Sequence, residues 1–224
     1  MPMNPVYRSP SELPAKIPVF PLAGALLLPR GELPLNIFEP RYLAMIEDAL
    51  KAERIIGMVQ PDESKESSAA QPVLFKIGCA GRITQLAESG DGRYLITLTG
   101  IARFRILEEL AAATAYRQCR VDFAPFAGDF VPQHGEEAVD RAALMRTLKA
   151  YLEANRMEAD WSDIKNAPTE ALVNGLSMMS PYGAREKQAL LEAPSMKERA
   201  ETLIALIEIA NASSPMAGGK QPIH

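Results

Sequence analysis

Ser89-Gly90-Asp91-Gly92-Arg93-Tyr94-Leu95-Ile96-Thr97-Leu98-Thr99-Gly100 is the stretch that decides the fold class. Its two glycines supply the positive φ of a tight turn, and Tyr94, Ile96 and Leu98 then alternate with Leu95, Thr97 and Thr99 as a half-buried strand requires. Residues 74–88 and 93–110, on either side of the turn, are long apolar runs, so the segment predicts an antiparallel hairpin. Gly100 interrupts the second run, where a bulge or a barrel corner is expected.

Working outward, Ile17-Pro18-Val19-Phe20-Pro21-Leu22, Pro34-Leu35-Asn36-Ile37-Phe38 and Ile55-Ile56-Gly57-Met58-Val59 are short strand-like runs punctuated by Pro, Gly or charge, and residues 116–126 add another. One helix interrupts them. Pro40 suits a first helical turn, and Leu43, Ile46 and Leu50 follow on one face. Asp62 to Gln71 has loop composition and reads as a mobile insertion. Beyond Gly128 the period becomes 3.6. Ala142, Met145, Leu148 and Leu152 form a stripe within 136–154, Pro168 opens a helix to about Met179, and Ser180-Pro181-Tyr182-Gly183 breaks it. A short helix over 184–191 follows, and Ser195-Met196-Lys197-Glu198 is a capping box that starts the last one. The expected organisation is a flexible arm at 1–16, a barrel at 17–128, helices at 129–211 and a disordered tail at 212–224.

The chain has 224 residues, 47% apolar and 23% charged, the composition of a soluble globular protein. Its longest uncharged stretches, 17–29 and 171–184, are too short to cross a bilayer, and the proline-rich start is not a secretory signal, so a cytoplasmic location is expected. Residues 1–128 hold 14 basic and 14 acidic residues, without the basic excess that nucleic-acid binding favours. Cys79 and Cys119 are expected as buried free thiols, and with only His134 and His224 no ordinary histidine metal site can be built. No phosphate-cradling GxxxxGK[ST] or GxGxxG run occurs, which excludes an ATPase. Ser162-Asp163-Ile164-Lys165 fits S-x-x-K but lacks the companion elements of a serine–lysine enzyme. No catalytic residue, cofactor or metal is expected.

Two places could hold a ligand. Arg103 and Arg105 alternate with Phe104 and Ile106, and could form a basic patch with Arg117 or Arg120 for an anion, although pairing with Glu108 or Asp122 is equally ordinary. The corner from Leu26 to Tyr42 is the other. Three consecutive leucines, Leu26 to Leu28, are expected to leave at least one facing away from the core, Leu33 and Leu35 share a face across Pro34, and Glu39, Arg41 and Tyr42 stand at the rim. The alternatives are leucines plugging the barrel end or a homodimer interface, and a Glu39 that caps the helix while Arg41 pairs locally.

The order of several pieces resembles the N-terminal substrate-binding domain of Lon proteases: Ile17 to Leu22, Leu28-Pro29, Leu33-Pro34-Leu35-Asn36-Ile37-Phe38-Glu39-Pro40-Arg41-Tyr42, Gly78-x-x-Gly81-x-Ile83, Asp91-Gly92-Arg93-Tyr94 and Gly100-x-x-Arg103-Phe104-Arg105-Ile106. The likeness runs from about Ile17 to Asn211. Asn36 stands where relatives commonly have His, and Pro29-Arg30-Gly31 replaces a usual Pro-Gly turn. The resemblance implies an α+β fold, a PUA-like, mainly antiparallel β-barrel followed by a C-terminal helical bundle. It also implies a bacterial-type quality-control role in recognising unfolded or damaged polypeptides for a protease or chaperone. The ATPase and peptidase modules of the family are not in this sequence, so a stand-alone, non-catalytic module is expected. RNA binding, which PUA-like barrels often perform, is the alternative. The substrate-binding residues expected on this basis are Leu27, Leu33, Leu35, Glu39, Arg41, Tyr42, Arg103 and Arg105.

Overall fold

The computed structural model describes residues 5–65 and 72–213. Six strands form one sheet: β1 (Lys16–Pro21), β2 (Glu32–Ile37), β3 (Ile55–Val59), β4 (Ile77–Glu88), β5 (Tyr94–Leu110) and β6 (Arg117–Asp122), in the order β2-β5-β4-β3-β1-β6. The end of β5 pairs again with β6, so β5, β4, β3, β1 and β6 close into a barrel. Among the described residues, only β1 and β3 run parallel, and strand β2 pairs with β5 alone and leaves one edge open.

The hairpin forms as its sequence predicts. Ser89 N–H donates to Arg93 O at 2.9 Å, and of the two glycines only Gly92 takes a positive φ, +80°. Gly100 marks a bulge, with Gly81 opposite Gly100 and Ala80 opposite Ala102, so Ile101 is the extra residue. The insertion exchanges the faces of β5. Before it Ile96 and Leu98 join the cluster beneath the helices; after it Ala102, Phe104 and Ile106 point into the barrel and Arg103 turns toward the helices. The barrel interior holds Ile17, Val19, Ile55, Ala80 and Val121 as well. Strand β3 is covered on both faces, which is why it reads as an unbroken apolar run.

Helix α1 (Pro40–Lys51) buries Tyr42, Met45, Ile46 and Ala49, a stripe one residue off the expected one, with Leu43 and Leu50 half-buried at its margins. Past β6, short 3-10 turns lead to α2 (Arg141–Ala154), α3 (Trp161–Asn166), α4 (Thr169–Met179), α5 (Ala184–Glu192) and α6 (Met196–Ser213). Helix α2 begins later than expected because Asp140 caps it, accepting from Ala143 N–H at 2.8 Å, and Leu144, Leu148 and Leu152 are its buried stripe while Ala142 is exposed. Ser162 and Lys165 of the S-x-x-K run lie exposed on α3, a helix capped by Asp160. Ser195 Oγ accepts from Glu198 N–H at 3.2 Å and caps α6, which packs against α2, α4 and α5.

Some expected boundaries move. Helix α6 continues through Ser213, and the tail beyond it lies outside the described residues, as do 66–71 of the insertion. The described part of the N-terminal arm packs on the barrel, with Leu13 buried and Tyr7 Oη accepting from Arg82 Nη1 at 3.0 Å. Cys79 and Cys119 are buried free thiols.

Candidate functional site

In an antiparallel pair, residues directly opposite share a face. Leu35 faces Ile96 and Leu33 faces Leu98, so both leucines lie on the side that packs against the core and are half-buried there. Pro34, Asn36 and, next along, Phe38 project to the other side. Leu95 and Thr97 of β5, and Gln85 and Ala87 of β4 opposite them, share that side. Thr97 Oγ1 donates to Gln85 Oε1 at 3.2 Å. This is the side of the sheet that lines the barrel interior beyond Gly100, and here it opens to solvent as a groove of about 550 Å3.

A solvated strand face is normally polar, yet here Leu95 is 50% exposed and Phe38 59%. Their chemistry is that of an apolar surface without a covering element among the described residues. The rim carries both charges. The Arg93 guanidinium sits 5.8 Å from the Phe38 ring centroid and pairs with Asp91 at 2.9 Å.

The Leu26–Tyr42 corner proves to be structural at its centre. Leu26, Leu27 and Leu28 are all buried, Leu27 being 1% exposed, so the expectation that one of them faces outward is corrected. The loop is clamped between the sheet and the helices. Leu27 lies against Gly81, Leu28 O against Gly100, and Asn174 Nδ2 on α4 donates to Pro29 O at 3.2 Å. Glu39 occupies the N-cap position of α1 but does not cap with its side chain; its Oε2 accepts from Arg41 Nε at 2.9 Å instead. Arg41 stacks over Tyr42 at 4.5 Å, and Tyr42 is buried against Phe20 with centroids 4.2 Å apart. Burial pushes the Tyr42 phenol above its ordinary range, although Arg41 pulls the other way.

The expected basic patch disperses. Arg103 is buried beneath the helices: Nη2 donates to Asp129 Oδ1 and Nε to Asp129 Oδ2, each at 2.9 Å, and Nη1 reaches Leu191 O and Ala193 O. Arg105 is exposed opposite Asp122, Arg120 pairs with Glu108 at 2.8 Å, and Arg117 pairs with Glu109. Strand parity did place Arg103 and Arg105 on one face. What parity could not show was the helical cover over Arg103. Sequence reading also passed over Phe38 and Leu95, although Leu95 sits among threonines on the polar side of the alternation, and an apolar residue there was the available signal.

A sequence profile described as the ATP-dependent protease La (LON) substrate-binding domain matches residues 16–208. Among curated proteins, a Lon protease of Anaeromyxobacter dehalogenans is 30% identical over 118 residues, 53% of this chain and 14% of that protein. Lon protease 2 of Myxococcus xanthus is 27% identical over 205 residues, 88% of this chain and 24% of that protein. The chain thus spans a quarter or less of these relatives. Among solved structures, the N-terminal domain of Mycobacterium avium complex Lon protease superposes with a TM-score of 0.63 at 20% identity, covering 86% of this chain and 98% of that one. A Lon N-terminal domain protein from Xanthomonas campestris gives 0.56 at 21% identity over 85% and 97%. The profile covers most of the chain and both superpositions reproduce its mixed α+β fold: the chain belongs to the Lon substrate-binding domain family.

Proposed function

We propose that this protein is a non-catalytic polypeptide-recognition module that holds exposed apolar segments of unfolded or damaged proteins, on behalf of a protease or chaperone. The contact surface is the outer face of β2, β5 and β4. The observation that carries the reading is the solvent exposure of Phe38 and Leu95 on a strand face that has no covering element among the described residues. An extended client would lay apolar side chains on this face, and the open edge of β2 offers backbone groups for strand addition. Pro34 and Glu32 blunt that edge against indiscriminate pairing. Family membership supports the same reading, since the matched profile is defined as a substrate-binding domain. Glu39 and Arg41, exposed at the near end of α1, would orient the client at the rim.

The test is a pair of substitutions, Phe38→Ser and Leu95→Ser, measured for binding to a permanently unfolded polypeptide together with melting temperature and oligomeric mass. Weaker binding with unchanged melting temperature and mass supports the reading. Unchanged binding sinks it, and a fall in mass with binding retained reassigns the face to contact between two copies of the chain.

A further inference from the structure

A second, separate pocket of about 240 Å3 lies where the Pro29–Arg30 turn, the 125–135 segment and the start of α6 meet. Arg30, Arg103 and Arg199 line it together with the carboxylates Asp129 and Glu170, His134 and the Ser195–Met196 end of α6. Two of the arginines are neutralised. Arg30 forms a two-pronged ion pair with Glu170, and Arg103 one with Asp129. Arg199 has no ion pair of its own among the described residues. It is 2% exposed, its Nε donates to Leu190 O and its Nη1 to Asn174 Oδ1, each at 2.9 Å, and its Nη2 has no hydrogen-bond partner among the described residues.

A buried guanidinium with no carboxylate in hydrogen-bond reach is costly, and an orphaned donor on it more so. Burial, then the neighbouring charge of Arg103, lowers the Arg199 pKa to about 10 against the opposing charges of Asp129 and Glu170. A second feature points the same way. The first amides of an α-helix lack partners within the helix and carry its positive dipole end, and α6, a helix of 18 residues, presents that end to the pocket beside Ser195. Arg199 stands one turn in from this end. Helix amides and a guanidinium donor converging from different directions match an anion with several oxygens. The volume is below the roughly 300 Å3 at which drug-sized ligand pockets begin, so the anion is small.

We propose that this pocket binds a small oxyanion of the phosphate class, held between Arg199 and the α6 N-terminus, with the already paired Arg30 and Arg103 adding positive charge at its wall. Its occupant pins the Pro29–Arg30 turn, and with it the Leu26–Leu28 clamp, to the first turn of α6. The site is independent of the outer strand groove.

The experiment is a calorimetric and phosphorus-NMR titration of the intact protein with inorganic phosphate at constant ionic strength. Chloride and acetate serve as controls and glycerol phosphate as the ester arm. Saturable one-to-one binding of phosphate is expected, with acetate failing to compete. Tighter binding of glycerol phosphate assigns the occupant to the phosphate group of a small metabolite, and equal or weaker binding assigns it to the free ion. Ser195→Asp keeps a good N-cap while placing a fixed negative charge at the mouth, and should weaken phosphate by about tenfold or more without loss of fold. Arg199→Gln should abolish binding in whatever fraction folds. No saturable binding to the wild type, full binding to Ser195→Asp, or acetate competing as well as phosphate overturns the proposal.

Discussion

Arg103 on β5 and Asp129 in the turn after β6 form a two-pronged ion pair, 2.9 Å at each contact, buried between the barrel and the helices. Asp129 Oδ2 also accepts the backbone N–H of Arg103, and the remaining guanidinium nitrogen is spent on the carbonyls that end α5. The Arg103 guanidinium lies 4.7 Å from the Phe126 ring centroid as well. Breaking such a pair from one side strands a charge. Asp129→Asn is therefore expected to cost about 3–5 kcal/mol, a fall of roughly 10 °C in melting temperature, because Arg103 stays buried and charged. Arg103→Met combined with Asp129→Asn should cost less than Asp129→Asn alone, since no unpaired charge remains. A double variant less stable than the single one would show that the pair itself, and not the stranded charge, sets the energy.

Gly100 stands against the carbonyl of Leu28, and the two segments exchange hydrogen bonds of 2.8 Å, Arg30 N–H to Gly100 O and Gly100 N–H to Gly31 O. A methyl group at this position meets backbone, which cannot swing aside as a side chain can. Gly100→Ala should destabilise by about 3 kcal/mol and loosen the Leu26–Leu28 clamp, read as faster amide exchange at Arg30. Gly90→Ala, in the hairpin turn with open space around it, is the control and should leave stability within error.

The hairpin, the bulge at Gly100 and the cap of α6 were legible because each is written within a few residues: alternation, a glycine that breaks it, a serine three before a glutamate. The parallel pairing of β1 with β3 and the return of β5 to β6 were not, since a strand's partner leaves no mark in its own period. The burial of Arg103 was hidden for the same reason, because Asp129 is 26 residues away and the carbonyls of Leu191 and Ala193 much farther. Leu26 to Leu28 misled because the inference assumed a strand with one free side. In the structure they occupy a loop enclosed on both sides, by the sheet and by the helices.

Cys79 and Cys119 are buried, and burial in apolar surroundings raises both thiols, Cys119 to about 11 and Cys79 further. A thiolate is the reactive form, so neither should react with a disulfide reagent in the native protein at neutral pH. Two thiols should titrate on denaturation, at a native-state rate that follows global unfolding. Rapid labelling of either in the native state would mean that the barrel opens locally.

Tyr116 Oη donates to Asp48 Oδ2 at 2.9 Å, joining the start of β6 to α1. Burial, followed by this hydrogen bond, raises its pKa to about 12, above the ordinary phenol value of about 10. The unfolded phenol therefore releases its proton first. The resulting stabilisation is complete below about pH 10 and disappears as the pH climbs toward 12. Tyr116→Phe should remove the most alkaline component of the ultraviolet phenolate titration and flatten the decline of melting temperature across that range. An unaltered titration would place the Tyr116 hydroxyl in ordinary solvent.

Leu27 and Leu95 offer a direct comparison between core and surface, two leucines that the sequence treats alike and the structure does not. Leu27 is enclosed against Gly81, and removing its side chain leaves a cavity that the clamped loop cannot close. Leu27→Ala should cost about 2–5 kcal/mol. Leu95 has half its surface in water and neighbours Thr97 and Ala87 on an open face, so Leu95→Ala should change stability by no more than about 0.5 kcal/mol. Binding of an unfolded polypeptide should sort the other way once corrected for the folded fraction: retained by Leu27→Ala and weakened severalfold by Leu95→Ala. If folded Leu27→Ala loses binding while Leu95→Ala keeps it, the client surface lies at the clamped corner and the loop must open to receive it.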